Sequence, residues 1–387
     1  MRAVTAIAVL LFGVGCGMGE IGPGDGHESG HPTGRNADGP SSASDSAAVD
    51  GWGNDARPRI ETDTIETIDA AVADDVGSTG AVRADARGYD VAAVDSGFVL
   101  RPPPALPTYS HGACPMLRGG TTAATALNSN FQTGGQRRDF HLVVPPSYDG
   151  TGDWPLVVAY HWIRSSSAAF LRDGELVAAA DRLHFIAVLP DALHTGSGAY
   201  AYDLTWPFVD LAGAPAELQF FDDLLACVGR QYHVDRARIH AAGVSAGALW
   251  LTHLSTTASV NRVASTVTIS GGLADLGPWR MDYRAQANKF PALVLWGGPT
   301  DQLIINFDAA SRRYRTALRG DNHFVVSCTH SAGHAMPPLP VPADGSPRLL
   351  PLWQFALDHP YGLPAGASPY RATGLPTSYP SWCSIAP

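Results

Sequence analysis

The stretch IHAAGVSAGALW, residues 239–250, joins an apolar run to a helical pattern through Gly243, Ser245 and Gly247. A serine between two such glycines, after a strand and before a helix, is typical of a sharp turn that raises its hydroxyl above the sheet edge. Ser245 is expected in strained backbone geometry, where a side chain at 243 or 247 would collide with the adjoining strand and helix. The helix N-terminus would stabilise negative charge beside the hydroxyl. The alternative is that Ser245 belongs to an ordinary packing site of small residues.

Short apolar runs alternate with longer helical patterns on both sides of this stretch. Strands are predicted at 140–145, 155–161, 185–190, 239–245, 263–270, 291–297 and 323–328, and helices at 166–183, 216–232, 246–258, 307–318 and 350–358. Several runs are continuously apolar, as strands buried on both faces should be. The alternation predicts an α/β fold with a mostly parallel central sheet and helices on both faces.

The first residues, MRAVTAIAVLLFGVGC (1–16), predict an export signal, because one arginine and a short apolar run precede small residues and Cys16. The end resembles a bacterial lipoprotein signal, in which that cysteine is lipidated, although Gly13 stands where such signals usually carry leucine. Ordinary cleavage that discards Cys16 is the alternative. We expect an exported protein, either anchored by lipid at the cell surface or outer membrane of a bacterium or secreted.

Residues 17–109 predict a disordered acidic linker rich in Gly, Ala, Asp and Ser. Residues 17–100 hold 16 acidic side chains against 5 arginines, whereas 101–387 hold 20 of each sign. The linker has too few large apolar residues to offset the entropy of ordering. The near-neutral region 110–387 is the expected folded domain, and it offers no basic field for a nucleic-acid partner. Two linker histidines, His27 and His31, are too sparse to predict a metal site.

Four cysteines lie in the near-neutral region: Cys114, Cys227, Cys328 and Cys383. An even number in an exported protein predicts two disulfides. Three pairings are possible, and the sequence does not choose among them. The alternative is that these residues are buried thiols that pack as small hydrophobic side chains.

A serine hydroxyl is a poor nucleophile unless a base removes its proton and a carboxylate holds that base in one tautomer. The candidate acid is Asp301, on the loop after the apolar strand 291–297. Asp308 is the alternative, although the dipole of the next helix would stabilise a carboxylate there in any case. The candidate base is His334, in a Gly-His loop after the last strand, and His330 is the alternative.

The region from about Cys114 to Phe355 resembles secreted feruloyl esterases and polyhydroxybutyrate-depolymerase-like esterases of the α/β-hydrolase superfamily. The resemblance runs through RDFHLVVPPSYDG, PLVVAYHW, FFDDLLACVGRQYHVDRARIHAAGVSAG, a strand ending before Asp301, and GHAMP followed by LWQF. It implies an α/β-hydrolase catalytic domain over 110–387 that cleaves carboxylic esters through an acyl-enzyme. Ser245, His334 and Asp301 would be nucleophile, base and acid. No P-loop, dinucleotide fingerprint or zinc-like histidine spacing appears, so neither a cofactor nor a metal is expected.

The sequence departs from these esterases at the oxyanion loop. They usually carry His-Gly, or His-Trp and a glycine pair, after the second strand, whereas here His161 and Trp162 lead into IRSSS. Backbone amides can stabilise an oxyanion whatever the side chain, so the candidate donors are Trp162 or Ile163 together with Ala246. The missing glycine leaves a non-catalytic surface binding protein as one alternative. A peptidase of the same fold is another.

Aromatic residues near the predicted site favour an aromatic or polymeric acyl chain, because flat rings suit such substrates. Trp162 and Trp250 flank the candidate oxyanion donors, and the segment YAYDLTW (200–206) contributes Tyr202 and Trp206. Packing in the core or in a loop over the site is the alternative for these rings.

Overall fold

A single mixed sheet organises the part of the chain that the structure, a computed structural model, describes: residues 98–193, 206–208, 211–277 and 279–387. These residues belong to one compact unit, Arg83–Pro387. The strands, β1 to β9 in chain order, are Leu127–Thr133, Gln136–Val143, Trp154–Tyr160, Ile186–Pro190, Val234–Val244, Ser265–Ile269, Ala292–Trp296, Val325–Thr329 and Cys383–Ile385. Their order across the sheet is β1-β2-β4-β3-β5-β6-β7-β8-β9.

The centre of this sheet is parallel. Strands β3 to β8 pair in parallel, and only β1, β2 and β9 pair antiparallel with their neighbours. Every residue of β4, β6 and β7 is buried, as expected for strands covered on both faces. The predicted α/β class with a mostly parallel sheet is therefore confirmed.

Helices cover both faces of the sheet. The helices, α1 to α8 in chain order, are Ala123–Ala126, Ser167–Asp173, Leu176–Leu183, Ala214–Gln231, Ala246–Leu254, Phe307–Gly320, Leu350–Leu357 and Tyr370–Thr373. One core cluster joins buried side chains of α4, α5 and α6 to Leu156 and Val158 of β3. A second joins α2, α3 and α7 to Val157 and Ala159 of the same strand. Because alternate residues of a strand point to opposite faces, the two clusters lie on opposite sides of the sheet.

The predicted helix over 166–183 is wrong as a single element, because it breaks between α2 and α3. Gly174 ends α2, and its N–H donates to the carbonyl of Phe170. Glu175 follows with φ of 50°, in the left-handed region, and α3 begins after it. The apolar periodicity continues across this break, so the sequence pattern does not reveal it.

The edge strands β1 and β9 were not predicted from the sequence. The burial of β1 does not alternate regularly, because its pairing with β2 shifts register between Asn128 and Phe131. Strand β9 has only three residues and pairs with β8 at the edge of the sheet. Neither segment carries enough local periodicity to be recognised as a strand.

The two predicted disulfides are confirmed, and the structure decides the pairing that the sequence left open. Cys114 is bonded to Cys227, and Cys328 is bonded to Cys383. The first bond attaches the segment before β1 to helix α4. The second joins β8 to β9 and so holds the short edge strand on the sheet.

The last residues of the predicted linker lie against this domain. Tyr109 is buried, and its hydroxyl donates to the carbonyl of Gln132 at 2.8 Å. The Arg101 N–H donates to the carbonyl of Gly362 at 3.0 Å. The neighbouring Ser110 binds the buried carboxylate of Asp223 through its backbone N–H (2.9 Å) and its hydroxyl (2.6 Å).

The predicted export signal (1–16) with Cys16, the linker up to residue 97, and His27 and His31 lie outside the described residues. They remain predictions. In the described ranges, no helix has both the length and the apolar character required to span a membrane.

Two histidines in the core make the stability of the domain depend on pH. Burial lowers the pKa of His359 to about 4. Its Nδ1 donates to the carbonyl of Phe355 (2.7 Å) and its Nε2 accepts from the hydroxyl of Ser368 (2.7 Å). The pKa of His240 lies well below its usual value, first through burial and then through the charges of Arg238 and His359. Both imidazoles are therefore neutral in the folded protein under mildly acidic conditions.

The free energy of unfolding is expected to fall as the pH drops from about 6.5 towards 4. In this window the unfolded chain protonates these histidines and the folded chain does not, so each contributes up to about 1.4 kcal/mol per pH unit. Buried carboxyls titrate as well, so the informative measurement is urea unfolding of the wild type against His359→Gln between pH 7.5 and 4.5. The variant, whose amide does not titrate in this range and can accept from Ser368, is expected to show a shallower pH dependence. An unchanged slope would contradict a neutral His359.

Candidate active site

The turn at Ser245 has the strained geometry expected from the motif. Ser245 lies between β5 and α5 with φ of 54° and ψ of −116°. Its N–H donates to the carbonyl of Ile269 on β6 at 2.8 Å, which holds the residue at the sheet edge. A serine at this helix position normally caps the helix through its side chain, but the Ser245 side chain makes no such bond. The hydroxyl is therefore available for another partner.

The two glycines of the motif permit a close approach of backbone segments. A Cβ at Gly243 would lie 2.5 Å from the carbonyl oxygen of Gly247, in α5. A Cβ at Gly247 would lie 2.2 Å from the carbonyl oxygen of Tyr160 and 2.6 Å from that of His161, where β3 ends. The collisions expected with the adjoining strand and helix are confirmed. The absence of a side chain at 247 lets the start of the oxyanion loop pack against α5.

Replacing Gly247 by alanine is expected to destabilise the protein by about 1–3 kcal/mol, because backbone atoms must move to make room for the methyl group. The same shift would separate the candidate oxyanion loop from Ser245, and in an enzyme of the expected mechanism a displacement of about 1 Å costs on the order of a hundredfold in turnover. Thermal unfolding and ester hydrolysis measure the two effects. Gly320→Ala is the matched control, because no atom lies within 4 Å of a Cβ at that position. Wild-type behaviour of both variants would contradict the close approach.

The structure brings together the three residues that the sequence singled out. His334 Nε2 lies 2.9 Å from Ser245 Oγ. His334 Nδ1 lies 2.7 Å from Asp301 Oδ1. Asp301 follows β7 and His334 follows β8, and both strands run parallel to β5, so the three residues meet at one edge of the sheet. The side chain of His334 is 12% exposed and that of Asp301 is fully buried.

Hydrogen bonds to the Asp301 carboxylate determine the tautomer of His334. The second oxygen, Oδ2, accepts from the hydroxyl of Ser270 (2.7 Å) and from the N–H of Gly297 (2.8 Å). An ionised carboxylate only accepts, so the proton between Asp301 and His334 belongs to Nδ1. Nε2 then carries the lone pair that faces Ser245.

Sequence reasoning missed Ser270 and Phe307, which complete this arrangement. Ser270 ends the predicted strand 263–270, a position that could have been recognised because carboxyl ends of parallel strands share one edge. The ring of Phe307 stacks on the imidazole of His334, with centroids 4.3 Å apart and planes at 25°. No sequence signal distinguished Phe307 from an ordinary core residue.

The alternative acid and base have partners elsewhere. Asp308, in the first turn of α6, accepts from the indole N–H of Trp296 (2.7 Å) and from Arg312 Nε (2.9 Å). His330 Nδ1 accepts from the N–H of Ala332 at 3.2 Å, and its ring packs edge-to-face on Trp382. Burial lowers the pKa of His330.

Hydrogen bonds orient the start of the glycine-free loop that is the candidate oxyanion loop. The carbonyl of Trp162 accepts from His161 Nδ1 (2.9 Å) and from the N–H of Ser165 (3.3 Å). The indole N–H of Trp206 donates to the carbonyl of His161 at 2.8 Å. In a trans peptide the C=O and the following N–H point in opposite directions. The N–H of Ile163 therefore points away from His161 Nδ1.

Asp191 holds the other end of this loop. Its carboxylate accepts from the N–H and from the hydroxyl of Ser167, both at 2.6 Å. The next residue, Ala192, donates its N–H to His161 Nε2 at 3.3 Å. The two residues that follow β4 thus bind both ends of the loop. Asp191 was not predicted, although it is the first carboxylate after the predicted strand 185–190.

The third candidate donor begins helix α5. Ala246 is the first residue of this helix, so its N–H has no acceptor within the helix. Gly247, the next residue, packs against the carbonyls of Tyr160 and His161. The start of the oxyanion loop and the amino end of α5 are therefore in contact beside Ser245.

Two of the expected substrate-lining residues are buried instead. Trp250 has no exposed surface and belongs to the core, and Trp206 is 2% exposed and packs edge-to-face on Tyr160 at 5.2 Å. The substrate-lining interpretation is therefore wrong for both, and core packing is correct. Trp162 is half-buried and contacts Phe170 edge-to-face. Tyr202 lies outside the described residues.

Within residues 98–193, 206–208, 211–277 and 279–387, no three His, Cys, Asp or Glu side chains are grouped so that they could hold a metal ion. The groups that converge at Ser245 are one hydroxyl, one imidazole, one carboxylate and backbone amides.

Comparison with known proteins identifies the fold. No family model matches the sequence, and no curated protein matches it. A serine-to-cysteine variant of pOPH in complex with DMSO is 18% identical, with a TM-score of 0.55, and covers 73% of this chain and 97% of that chain. Native sOPH is 17% identical, with a TM-score of 0.50, and covers 72% of this chain and 96% of that chain. At these identities the likeness establishes the fold alone, and the expected α/β-hydrolase fold is confirmed.

Proposed function

We propose that this protein is an exported serine hydrolase of carboxylic esters, with Ser245 as nucleophile, His334 as general base and Asp301 as the carboxylate that orients it. The observation that carries the proposal is the continuous chain of hydrogen bonds from the hydroxyl through the imidazole (2.9 Å) to the buried carboxylate (2.7 Å). A base within hydrogen-bond reach of the nucleophile, itself oriented by a third group, is the arrangement that activates a serine.

The reaction proceeds through an acyl-enzyme. Ser245 Oγ forms a bond to the ester carbonyl carbon while His334 Nε2 takes the hydroxyl proton, and the Asp301 carboxylate stabilises the imidazolium. The N–H groups of Ala246 and Ile163 stabilise the oxyanion. When the tetrahedral intermediate collapses, His334 returns the proton to the leaving alcohol. Water, deprotonated by His334, then releases the acid and restores Ser245.

The glycine-free loop is compatible with this chemistry. A degenerate loop would favour the alternative of a surface binding protein. Residues 161–167 are instead anchored by hydrogen bonds at both ends, to Trp206, Asp191 and Ala192. Ordered amides beside a nucleophile favour catalysis. Backbone N–H groups stabilise the oxyanion of the transition state most when they already point at its position before the charge develops.

Labelling with a fluorophosphonate probe tests the proposal. We expect one covalent adduct on Ser245 in the wild type and none in Ser245→Ala. A folded wild-type protein that takes up no label would contradict the proposal and favour a binding protein. Turnover of peptides without turnover of short p-nitrophenyl esters would favour a peptidase of the same fold.

Export also belongs to this proposal. Both disulfides support it, because such bonds persist in oxidising compartments. We propose that residues 1–16 are the export signal, that Cys16 carries the lipid and that the linker connects it to the domain. Replacing Cys16 by serine should then move the protein from the membrane fraction to the soluble exported fraction. Unchanged fractionation would contradict lipidation.

Asp191→Asn is expected to lower kcat by roughly 10- to 100-fold with little change in KM, because a displaced oxyanion loop weakens transition-state binding more than substrate binding. Asp344→Asn is the matched control. Asp344 also accepts from the N–H (3.0 Å) and hydroxyl (2.7 Å) of a serine, Ser346, but on the exposed surface. Steady-state kinetics and melting temperatures of both variants separate positioning from stability. Equal kinetics in the two variants would show that Asp191 does not orient the loop.

A further inference from the structure

The loop between Asp301 and α6 exposes two adjacent aliphatic side chains. Leu303 is 50% exposed and Ile304 is 41% exposed. The loop is nevertheless well defined: Gln302 and Asn306 form a β-bridge across its base, and the Leu303 N–H donates to the carbonyl of Ile305 at 3.1 Å. The exposed pair therefore occupies the tip of a short, closed loop.

Both ends of this loop contact the proposed catalytic imidazole. Asp301 accepts from His334 at one end, and Phe307 stacks on the ring of His334 at the other. The Phe307 N–H also donates to the carbonyl of Asp301 at 3.0 Å, which closes the loop. The tip extends at most two residues beyond the bridge, about 7 Å of chain. Leu303 and Ile304 consequently lie at the rim of the candidate active site.

Folding does not explain why this pair is apolar. Ile305, only 7% exposed, supplies the apolar contact that packs the loop on the domain. The bonds that close the loop are made mainly by backbone groups, so polar residues at 303 and 304 would keep them. Single exposed apolar residues are common on protein surfaces, but this pair is adjacent and lies on a closed loop whose two ends contact His334.

The chemistry of the rim points to an aliphatic partner. The segment QLIIN, residues 302–306, carries no charge. The indoles of Trp206 and Trp250, which would have favoured an aromatic acyl group, are buried. Among the described residues of this loop, the accessible apolar surface consists of branched alkyl groups. Contact between these groups and a flexible alkyl chain is favourable, because it removes the apolar surface of both from water.

We propose that Leu303 and Ile304 determine substrate specificity by contacting the acyl chain, and that the preferred substrates are esters of medium-length aliphatic acids rather than aromatic or acetyl esters. This inference rests on the proposed esterase function. Each buried methylene group is worth about fourfold in binding. An octanoyl ester therefore gains substantially from this contact, whereas an acetyl ester does not reach it.

The test compares the full-length wild type with the double variant Leu303→Ser, Ile304→Ser. For p-nitrophenyl octanoate, kcat/KM is expected to fall about 15- to 60-fold, as loss of contact with two or three methylene groups requires. For p-nitrophenyl acetate, kcat/KM should stay within about twofold, since the groups that contact the reacting atoms are unchanged. Met116 is an apolar side chain that is 88% exposed, and the N–H of its neighbour Leu117 donates to Gln231 at the end of α4. Met116→Ser is therefore the matched control, because it removes exposed apolar surface outside the loop 301–307.

The outcomes distinguish this inference from the proposed function. Equal fluorophosphonate labelling and melting temperature in the variants and the wild type would show that the catalytic groups and fold are intact. An unchanged octanoate-to-acetate ratio in a labelled double variant, or a wild-type preference for feruloyl over octanoyl esters, would overturn the inference alone. A wild type that takes up no label would overturn the proposed function and the inference with it.

Discussion

Replacing Ser245 by alanine is expected to lower kcat by on the order of 10⁶-fold, because the substitution removes the atom that forms the acyl bond. The backbone conformation should be unaffected, since alanine at this position would adopt the same positive φ as serine. Its N–H would still donate to the carbonyl of Ile269. The side chain loses only its contact with His334. Any residual turnover would come from the oxyanion amides and substrate binding.

Hydrolysis of p-nitrophenyl acetate, measured with a melting curve for each protein, tests this expectation. Ser346→Ala is the control, because Ser346 is a surface residue whose hydroxyl binds Asp344. A folded Ser245→Ala protein that retains one hundredth of the wild-type rate would rule out Ser245 as nucleophile. Hydrolysis in neither form, with ligand binding retained in both, would identify a binding protein.

Replacing Asp301 by asparagine is expected to lower kcat by on the order of 10⁴-fold with the fold preserved. Three donors converge on the carboxylate: His334 Nδ1, the Ser270 hydroxyl and the Gly297 N–H. The backbone N–H of Gly297 can only donate, so it keeps the amide oxygen of asparagine at the Oδ2 position. The amide NH₂ then faces His334 Nδ1, which must accept. The proton moves to Nε2, and the imidazole can no longer take a proton from Ser245.

Asp308→Asn is the matched control for this experiment, since Asp308 lies seven residues away and was the alternative acid. It binds Trp296 and Arg312, so its loss should change kcat by only a few-fold. Steady-state kinetics and the rate of fluorophosphonate labelling measure both variants. The opposite order of effects, with Asp308→Asn the more damaging, would reassign the acid.

The parallel sheet and the turn at Ser245 were predictable because both are written in local patterns. Apolar runs such as 155–161 and 291–297 identify strands whose two faces are buried. The spacing of Gly243, Ser245 and Gly247 identifies a turn that tolerates no side chain at either glycine. Asp301 and His334 could be proposed because each follows a strand whose carboxyl end lies at the same edge as Ser245.

The supporting groups were not predictable because they depend on contacts between distant segments. Ser270 and Asp301 belong to different loops, and Asp191 lies 24 residues from Ser167 in the chain. A tryptophan has the same sequence signature whether its ring lines a cleft or fills the core. The aromatic interpretation of Trp206 and Trp250 was wrong for that reason.

The sequence by itself determined the α/β class, the strained turn and the short set of residues from which a nucleophile, a base and an acid could be chosen. Local periodicity and steric exclusion at glycine suffice for these, since both act over a few neighbouring residues. Only the tertiary structure decided the cysteine pairing, the tautomer of His334, the support of a glycine-free loop by Asp191 and the exposure of Leu303 and Ile304. Each of these depends on which atoms of remote segments come within hydrogen-bonding or van der Waals distance, and packing of the whole domain sets those distances.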